Sequence, residues 1–250
     1  MLDNPVFTNW NDTHGAVWQT RPVHLAHRLH QSPVFSRAAL EQLIERYPRE
    51  HYSLIYMGGR EERKFWREGD IGSMPGHKVI EAISNGRMWL NLKNVAKVDR
   101  DYRRVLDEVF EELGIRMPGF ETRQETAGIL ISSPDAQVYY HADLPGQCLW
   151  QLIGSKRVHM YPATAPFVTN QHLEDIALFE VEVDMPYAQW YDEHATVVDL
   201  HPGHMLHWPL HAPHRVENLG MLNVSMTVSY WTEEVRRKYS MHLANGLLRN

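Results

Sequence analysis

Nine short runs of β-forming residues dominate the second half of this chain and constrain its fold more than any other feature. From about Gly128 onward, apolar and polar residues alternate with a period of two, and turn-forming residues separate one run from the next. The runs cover residues 128–132, 136–143, 147–153, 156–161, 177–183, 195–199, 204–208, 214–218 and 222–230. So many short strands within roughly 100 residues predict a mainly β fold, either a barrel or a sandwich.

The first half of the chain has helical periodicity instead. Ser36 is a suitable N-cap for a helix whose apolar residues recur at helical spacing until Pro48 ends it. Either Asp99 or Asp101 is a suitable N-cap for a second helix, and Gly114 stands where a helix C-terminus often has a left-handed residue. We therefore expect helices to flank the β fold on its N-terminal side.

The last segment becomes helical again after Trp231. Thr232 is a plausible N-cap, and the apolar stripe of this helix consists of Val235, Tyr239 and Leu243. This helix could close the barrel or contact a second subunit in a homodimer. The sequence thus predicts three parts: residues 1–124 packing on the barrel, a core of residues 125–231, and a C-terminal helix in residues 232–250.

Charge and composition exclude some classes of function. The 250 residues contain 25 Lys and Arg against 31 Asp and Glu, which gives a net charge of −6, and no basic block is present. We therefore expect no nucleic-acid partner and no binding to anionic membranes. The single cysteine, the lack of a long apolar run and an N-terminus without a basic or apolar region predict a cytoplasmic protein.

Histidine is unusually frequent, with 16 residues, and it points to a metal site. His141 and Asp143 lie two residues apart on a predicted strand, so both side chains should project from the same face. His172 and Glu174 form a rival pair with the same spacing, but they lie in a polar connection between predicted strands. We therefore favour His141 and Asp143.

The third ligand is expected in the histidine-rich segment from His194 to His214. On the predicted strand 214–218, His214 shares its inward face with Val216 and Asn218, while His211 in the preceding turn is the main competitor. Two imidazoles and one carboxylate on one side of an ion form the facial triad of non-haem Fe(II) oxygenases, which leaves three coordination positions open.

The chain resembles a known family in these segments. They are Ile131-Ser132-Ser133-Pro134, His141-Ala142-Asp143, Leu149 to Val158, and Pro202-Gly203 through Trp208-Pro209 to His214-Arg215-Val216-Glu217-Asn218. Together they resemble the JmjC-like, cupin-type branch of the 2-oxoglutarate-dependent dioxygenases, which includes the asparaginyl hydroxylase acting on hypoxia-inducible factor. The resemblance implies a double-stranded β-helix, also called a jelly-roll or cupin barrel. It also implies Fe(II) bound by His141, Asp143 and His214, with 2-oxoglutarate and O2 as co-substrates.

Lys156 is the residue with which this family would bind the co-substrate. If Gly154-Ser155 is a two-residue hairpin turn, Lys156 faces the barrel interior, where an ammonium needs an anionic partner. The resemblance implies that Lys156 binds the distal carboxylate of 2-oxoglutarate and that Gln147 and Ser229 are further candidates for co-substrate contacts. The chain departs from the family pattern at Val138, where relatives often have threonine, and at Ser229, where some have asparagine.

These observations predict an oxygenase that hydroxylates a C–H bond and forms succinate and CO2, or that performs the related N-demethylation. The substrate could be a protein, a peptide, an amino acid or another small metabolite. Two alternatives remain open at this point. One is a non-catalytic cupin-like module that binds a metal or senses a small acid, and the other is a metal-dependent oxygenase or isomerase that does not use 2-oxoglutarate.

Overall fold

The computed structural model describes residues 4–58, 66–179 and 185–249. The helices in this part of the chain are α1 (Asp12–Val17), α2 (Arg37–Glu45), α3 (Gly76–Asn85), α4 (Val95–Val98), α5 (Arg100–Arg116), α6 (Asn170–Phe179) and α7 (Glu233–Arg249). The strands are β1 (Val23–Ala26), β2 (Tyr52–Met57), β3 (Trp66–Gly69), β4 (Met88–Leu92), β5 (Arg123–Ser132), β6 (Gln137–His141), β7 (Gly146–Ile153), β8 (Lys156–Met160), β9 (Thr196–Leu200), β10 (His204–His207), β11 (His214–Asn218) and β12 (Asn223–Trp231).

The strands form two antiparallel sheets. The large sheet has the order β1-β10-β7-β12-β5-β4-β2-β3, and the small sheet has the order β6-β11-β8-β9. From β5 to β8 the chain passes from one sheet to the other with each successive strand, and β9 to β12 return between the same two sheets. This alternation is the jelly-roll arrangement of a double-stranded β-helix, so the predicted fold is confirmed.

Four of the eight strands of the large sheet come from outside the barrel repeat. β4, β2 and β3 continue the sheet beyond β5, and β1 continues it beyond β10. The N-terminal half therefore shares a sheet with the barrel as well as packing on it. Its helices cover the outer face of that sheet and bury one large apolar core with residues from α2, α5, β7 and β12.

The two N-terminal helices that the sequence predicts are present. The hydroxyl of Ser36 accepts a hydrogen bond from the backbone N–H of Ala39 at the start of α2, and the carboxylate of Asp99 accepts one from the backbone N–H of Asp101 at the start of α5. The predicted end of α5 at Gly114 is wrong, because the helix continues to Arg116. Burial of Leu113 in the core holds this last turn in helical form.

One predicted strand is a helix instead. The run 177–183 was expected to be a strand, but residues 177–179 form the end of α6, while residues 180–184 lie outside the described part of the chain. Leu173 and Ala177, four residues apart, are both buried on one face of α6. Packing of this face determines the helix, whereas the short apolar run alone is compatible with either structure.

The C-terminal helix α7 closes one end of the barrel. The hydroxyl of Thr232 accepts a hydrogen bond from the backbone N–H of Val235, as expected of an N-cap. Val235 is fully buried, and Tyr239 and Leu243 pack against the small apolar cluster that contains Leu173 of α6. The stripe therefore packs within its own chain, with Val235 buried and Tyr239 and Leu243 partly buried, and the homodimer contact through this helix stays a prediction.

None of the helices in the described residues has the length and apolar character needed to cross a membrane.

Candidate metal centre

His141 and His214 face each other across two paired strands of the small sheet. His141 is the last residue of β6, His214 is the first residue of β11, and the two are register partners. Their ring centroids are 4.2 Å apart. His214 thus points inward, as predicted, and its side chain is buried between the sheets.

Both imidazoles are oriented by backbone carbonyls. Nδ1 of His141 lies 2.7 Å from the carbonyl oxygen of Tyr139, and Nδ1 of His214 lies 3.1 Å from that of Ala212. Because a carbonyl can only accept, each Nδ1 carries the proton, and each Nε2 keeps a free lone pair. This is the arrangement that prepares histidines as metal ligands.

A β-bulge brings His141 to the interior. His214 pairs with His141 and Val216 pairs with Val138, so three residue steps on β6 match two steps on β11. The extra residue reverses the alternation along β6. Val138 and His141 consequently both face the interior, which strict alternation along a regular strand does not allow.

Asp143 completes the group, although it does not lie on a strand. The predicted strand 136–143 ends at His141, and Asp143 belongs to the connection that leads to β7. Its Oδ2 lies 3.4 Å from Nε2 of His214, and the three candidate ligand atoms all lie within 4.8 Å of one another. Small side-chain rotations are enough for one ion to contact all three.

Burial sets the electrostatic state of the triad. Desolvation, followed by the nearby His141, holds the pKa of His214 well below its usual value. Desolvation also raises the pKa of Asp143, against the opposing effects of His141 and of hydrogen bonds from Gln147 and Trp208. Neutral imidazole and carboxylate are the forms that bind a metal cation, and a cation would reverse the effect of burial on Asp143.

Gln147 and Trp208 support the triad. Gln147 was predicted near the co-substrate, and its side-chain amide donates a hydrogen bond to Asp143. Trp208 donates a second hydrogen bond to Asp143 and packs on His214 with a ring-centroid distance of 4.2 Å. From the sequence, Trp208 was a candidate only for a substrate mouth or for the core, since nothing in its neighbours indicates a bond to Asp143.

The competing ligands lie elsewhere. His211 packs against His242 of α7, with ring centroids 5.6 Å apart, and is outside the triad. His172 and Glu174 lie on α6, where successive positions two residues apart point to different sides of the helix. Glu174 is buried and pairs with Arg249 at 3.0 Å, so this pair has a structural explanation.

Lys156 is buried inside the barrel, as predicted, but for a different reason. Gly154-Ser155 is not a hairpin turn, because β7 and β8 belong to different sheets and do not pair. The chain crosses between the sheets at Gly154, whose φ is +76°. The first residue of β8 then points into the space between them, and the side chain of Lys156 is 2 % exposed.

The ammonium of Lys156 has no anionic partner. Within the described part of the chain, no carboxylate or carbonyl accepts a hydrogen bond from it, and desolvation by burial lowers its pKa from 10.5 to about 7. An unpaired buried ammonium is costly. Lys156 can therefore bind a carboxylate that enters the barrel.

Other polar side chains inside the barrel are hydrogen-bonded to one another. Nε2 of Gln151 donates to Asn223 Oδ1 at 2.7 Å, and the hydroxyl of Ser225 donates to Gln151 Oε1 at 2.9 Å. Ser229, a predicted co-substrate contact, lies opposite Gln147 in the sheet, and its hydroxyl is 2.6 Å from that of Thr126. These polar side chains are paired with one another, whereas no described carboxylate or carbonyl pairs with the ammonium of Lys156.

A cleft of about 620 Å³ reaches Asp143 of the triad, although neither His141 nor His214 lines it. Asp143 and Gln147 lie at its inner end, and residues of α6 and α7 form its outer wall. The outer wall could not be found from the sequence, because the residues of α7 carry no motif. The triad and the cleft beside Asp143 together form a candidate site for a metal ion and a ligand.

A barrel of this topology with three such ligands near one end defines the class of metal-binding jelly-roll proteins. A family model for the cupin-like domain matches residues 12–237, and the chain belongs to this family. No curated protein sequence shows a significant match.

Solved structures support the same fold. The chain is similar to the Escherichia coli ribosomal oxygenase YcfD in complex with cobalt and 2-oxoglutarate, with 18% identity, a TM-score of 0.62, and coverage of 99% of this chain and 58% of that one. For YcfD in complex with cobalt and succinic acid the identity is 17%, the TM-score 0.61, and the coverage 94% and 54%. The chain thus spans little more than half of the length of these proteins, and the similarity concerns the fold.

Proposed function

We propose that this chain is an Fe(II)- and 2-oxoglutarate-dependent oxygenase that hydroxylates a C–H bond and releases succinate and CO2. His141, Asp143 and His214 would bind the metal, and Lys156 would bind the distal carboxylate of 2-oxoglutarate. The eight strands around the triad would act as the catalytic core of residues 125–231. Residues 1–124 would support this core, and residues 232–250 would close its mouth.

The ammonium of Lys156 is the observation that carries this proposal. A cupin that only holds a metal has no need for a buried cation without a partner in the same barrel. A dicarboxylate accounts for both the open positions at the metal and the unpaired ammonium. One of its ends would bind the metal, and the other would neutralise Lys156. The complexes of YcfD with 2-oxoglutarate and with succinic acid support this assignment as properties of a protein with the same fold.

Each side chain has a defined part in this activity. The carbonyls of Tyr139 and Ala212 fix the two imidazoles, so that Nε2 of each is available to the metal. Trp208 and Gln147 hold the carboxylate of Asp143 in place. When bound, Fe(II) supplies the chemistry that activates O2. The buried walls of the barrel exclude water from the site.

The substrate must reach the triad through the cleft. Its volume of about 620 Å³ fits a small molecule or a peptide segment rather than a folded surface. We therefore propose a small-molecule or peptide substrate, the latter including an extended segment of a protein.

Anaerobic spectroscopy followed by a turnover assay tests the proposal. Fe(II) and 2-oxoglutarate added without O2 should give the visible charge-transfer band of a chelated 2-oxo acid. Admission of O2 should then release succinate, slowly even without the substrate. A band without any succinate would indicate the non-catalytic ligand-binding alternative, and the absence of both would contradict the proposal.

A histidine outside the triad provides the control. His211 lies three residues before His214 but contacts His242 instead of the triad. His214→Ala should abolish both the band and succinate release, whereas His211→Ala should keep both.

A further inference from the structure

A second β-bulge lies at the mouth of the cleft, and it contains a residue in an unfavourable backbone conformation. Ser229 of β12 pairs with Thr126 of β5, but Trp231 pairs with Arg123, so Gln124 and Glu125 together oppose a single residue. Gln124 has φ of +54°, a left-handed conformation that glycine adopts far more readily. Such bulges redirect side chains and are frequent beside active sites.

The side chain that this bulge redirects lines the cleft. Gln124 is exposed and lies at the same mouth as Arg236 and Ser240 of α7. A strained residue persists where the surroundings impose it, and such residues cluster at ligand-binding sites. Glycine would adopt this backbone conformation with less strain. The presence of glutamine instead points to a contact made by its side-chain amide.

Aromatic side chains form the wall between Gln124 and α7. The rings of Trp231 and Tyr239 meet edge to face, with centroids 5.3 Å apart and planes at 83°. Both residues line the cleft. The two rings offer an apolar surface against which a hydrophobic group can pack.

The charges in the cleft favour an anionic ligand. Among the described residues that line it, the acidic and basic side chains are Asp143 and Arg236. A metal ion bound to Asp143 would neutralise that carboxylate. The guanidinium of Arg236 is half exposed and has only a loose ion pair with Glu233, at 3.9 Å, whose own side chain is 84 % exposed. Arg236 is therefore free to form a two-point contact with an oxyanion.

We propose that Arg236 and Gln124 form a subsite for a carboxylate or phosphate group of the substrate, with Trp231 and Tyr239 packing on the adjacent apolar part. The subsite would define the substrate class of the proposed oxygenase, and its role in catalysis rests on that proposed function. Binding of the anion itself depends only on the residues of the cleft and does not require oxygenase activity. The subsite differs from the one at Lys156, which lies inside the barrel.

Titration with small aromatic anions tests the subsite. The probes are phenylacetate and phenyl phosphate, with neutral phenylacetamide as the comparison, and the protein is first loaded with Mn(II) and the 2-oxoglutarate analogue oxalylglycine to block Lys156. At least one anion should bind about tenfold more tightly than the amide, as expected for a charge-assisted contact. The anion that binds better tells whether the natural group is a carboxylate or a phosphate.

Two neighbouring arginines give a matched pair of variants. Arg236→Gln should remove the preference for the anion, whereas Arg237→Gln, which changes the same charge one residue along α7 outside the cleft, should retain it. Equal binding of anion and amide to the wild type, no saturable binding of either anion at millimolar concentration, or equal effects of the two variants would overturn the proposal.

Gln124→Gly separates a binding role from a structural one. Glycine relieves the left-handed strain, so the melting temperature should stay the same or rise, while the anion binds several-fold more weakly. A lower melting temperature with unchanged anion binding would assign Gln124 to the fold and exclude it from the subsite.

The same titrations distinguish this proposal from the proposed function. If the protein fails to bind Mn(II) and oxalylglycine, the oxygenase proposal fails, and the anion titration on the metal-free protein still decides the subsite. If the metal and the analogue bind but the anions do not, only the subsite fails.

Discussion

The two faces of the large sheet are both buried, yet they carry opposite kinds of side chain. Along β12, the residues that face the N-terminal helices are apolar, and those that face the small sheet are polar. The first set is Val224, Met226, Val228 and Tyr230, and the second is Asn223, Ser225, Thr227 and Ser229. β7 repeats the pattern in part, with Trp150 on the apolar face and Gln151 on the other, where Leu149 is also buried against apolar residues of the small sheet.

The difference between the two faces separates the residues that stabilise the fold from those that surround the candidate site. The apolar face joins the N-terminal half to the barrel through a continuous core that includes Leu25, Leu43 and Leu106. On the polar face, Gln151 and Ser225 are hydrogen-bonded to each other, whereas Lys156, which is buried between the sheets on β8 of the small sheet, has no partner among the described residues. Because an unpaired buried charge destabilises a fold, the ammonium of Lys156 between the two sheets favours a site for an anionic ligand.

Substitutions in the triad should have the largest effect, and they should affect function alone. His141→Ala or Asp143→Ala removes one of three ligands, and we expect succinate release to fall below detection. The loss of metal affinity should exceed the 10–100-fold typical of residues that only support a ligand. Mn(II) titration measures the affinity, and thermal unfolding of the metal-free variants should show an unchanged or higher midpoint. A clear loss of stability would mean that the two faces are not separate.

Trp150→Ala should have the opposite pattern. Trp150 is fully buried on the apolar face and packs against Phe7, with ring centroids 5.2 Å apart. Its truncation should lower the free energy of unfolding by about 3–5 kcal/mol, measured by urea denaturation. The affinity of the remaining folded protein for 2-oxoglutarate should stay the same, and a loss of affinity would show that this face also shapes the site.

Lys156→Met should weaken 2-oxoglutarate binding and stabilise the ligand-free protein. Loss of a charge-assisted contact predicts at least about a tenfold increase in the dissociation constant for 2-oxoglutarate. The methionine fills a similar volume without a charge, so the unfolding free energy at pH 6 should rise. Lys238→Met on the exposed side of α7 is the control and should change neither quantity.

The same lysine predicts a pH dependence. Burial lowers the pKa of Lys156 to about 7 in the folded protein, whereas a lysine in the unfolded chain keeps its ordinary pKa of 10.5. Between these values the unfolded state holds more protons, so the stability of the empty wild type should rise with pH from about 7 towards 10 through this group. Lys156→Met should remove that component. At pH 8, binding of 2-oxoglutarate should take up a proton in the wild type, seen by calorimetry in buffers of different ionisation enthalpy.

Trp208→Phe should have a smaller effect on metal affinity. The phenyl ring retains packing on His214 but removes the hydrogen bond to Asp143. Mn(II) affinity should fall by about 10–100-fold. An unchanged affinity would show that Gln147 alone is enough to position the carboxylate.

The smallest effect is expected on the exposed side of the small sheet. Arg157 and Asp199 form a two-point ion pair at 2.7 and 2.8 Å, but their side chains are 42 % and 37 % exposed. Asp199→Asn should therefore change the unfolding free energy by less than about 1 kcal/mol and leave 2-oxoglutarate binding unchanged. A larger loss of stability would show that the outer surface of the small sheet contributes as the apolar core does.

The sequence predicted the parts of the fold that depend on periodicity. The alternation along β12 and the N-caps at Ser36 and Asp99 identify their elements, because these signals are local. The strand expected at 177–183 failed because packing against α7 decides its structure. The end of α5 beyond Gly114 was missed because core burial outweighs the preference of glycine for a helix terminus.

The site was predicted in its residues more than in its geometry. The sequence named His141, Asp143, His214 and Lys156, partly through the family resemblance; the structure brings the first three together and buries Lys156, and their roles stay predictions. The bulge in β6 and the crossing between sheets before Lys156 could not be predicted, since both depend on how strands from distant parts of the chain pair. The contact from Trp208 to Asp143 and the cleft wall on α7 depend on the same long-range packing.

Calorimetric titration of 2-oxoglutarate with and without Mn(II) tests most directly whether the triad and Lys156 form one co-substrate site. With Mn(II), the protein should bind a single equivalent of 2-oxoglutarate, and this binding should be lost when the metal is removed or in His214→Ala. Equally tight binding of 2-oxoglutarate without the metal, or no binding in its presence, would contradict the account.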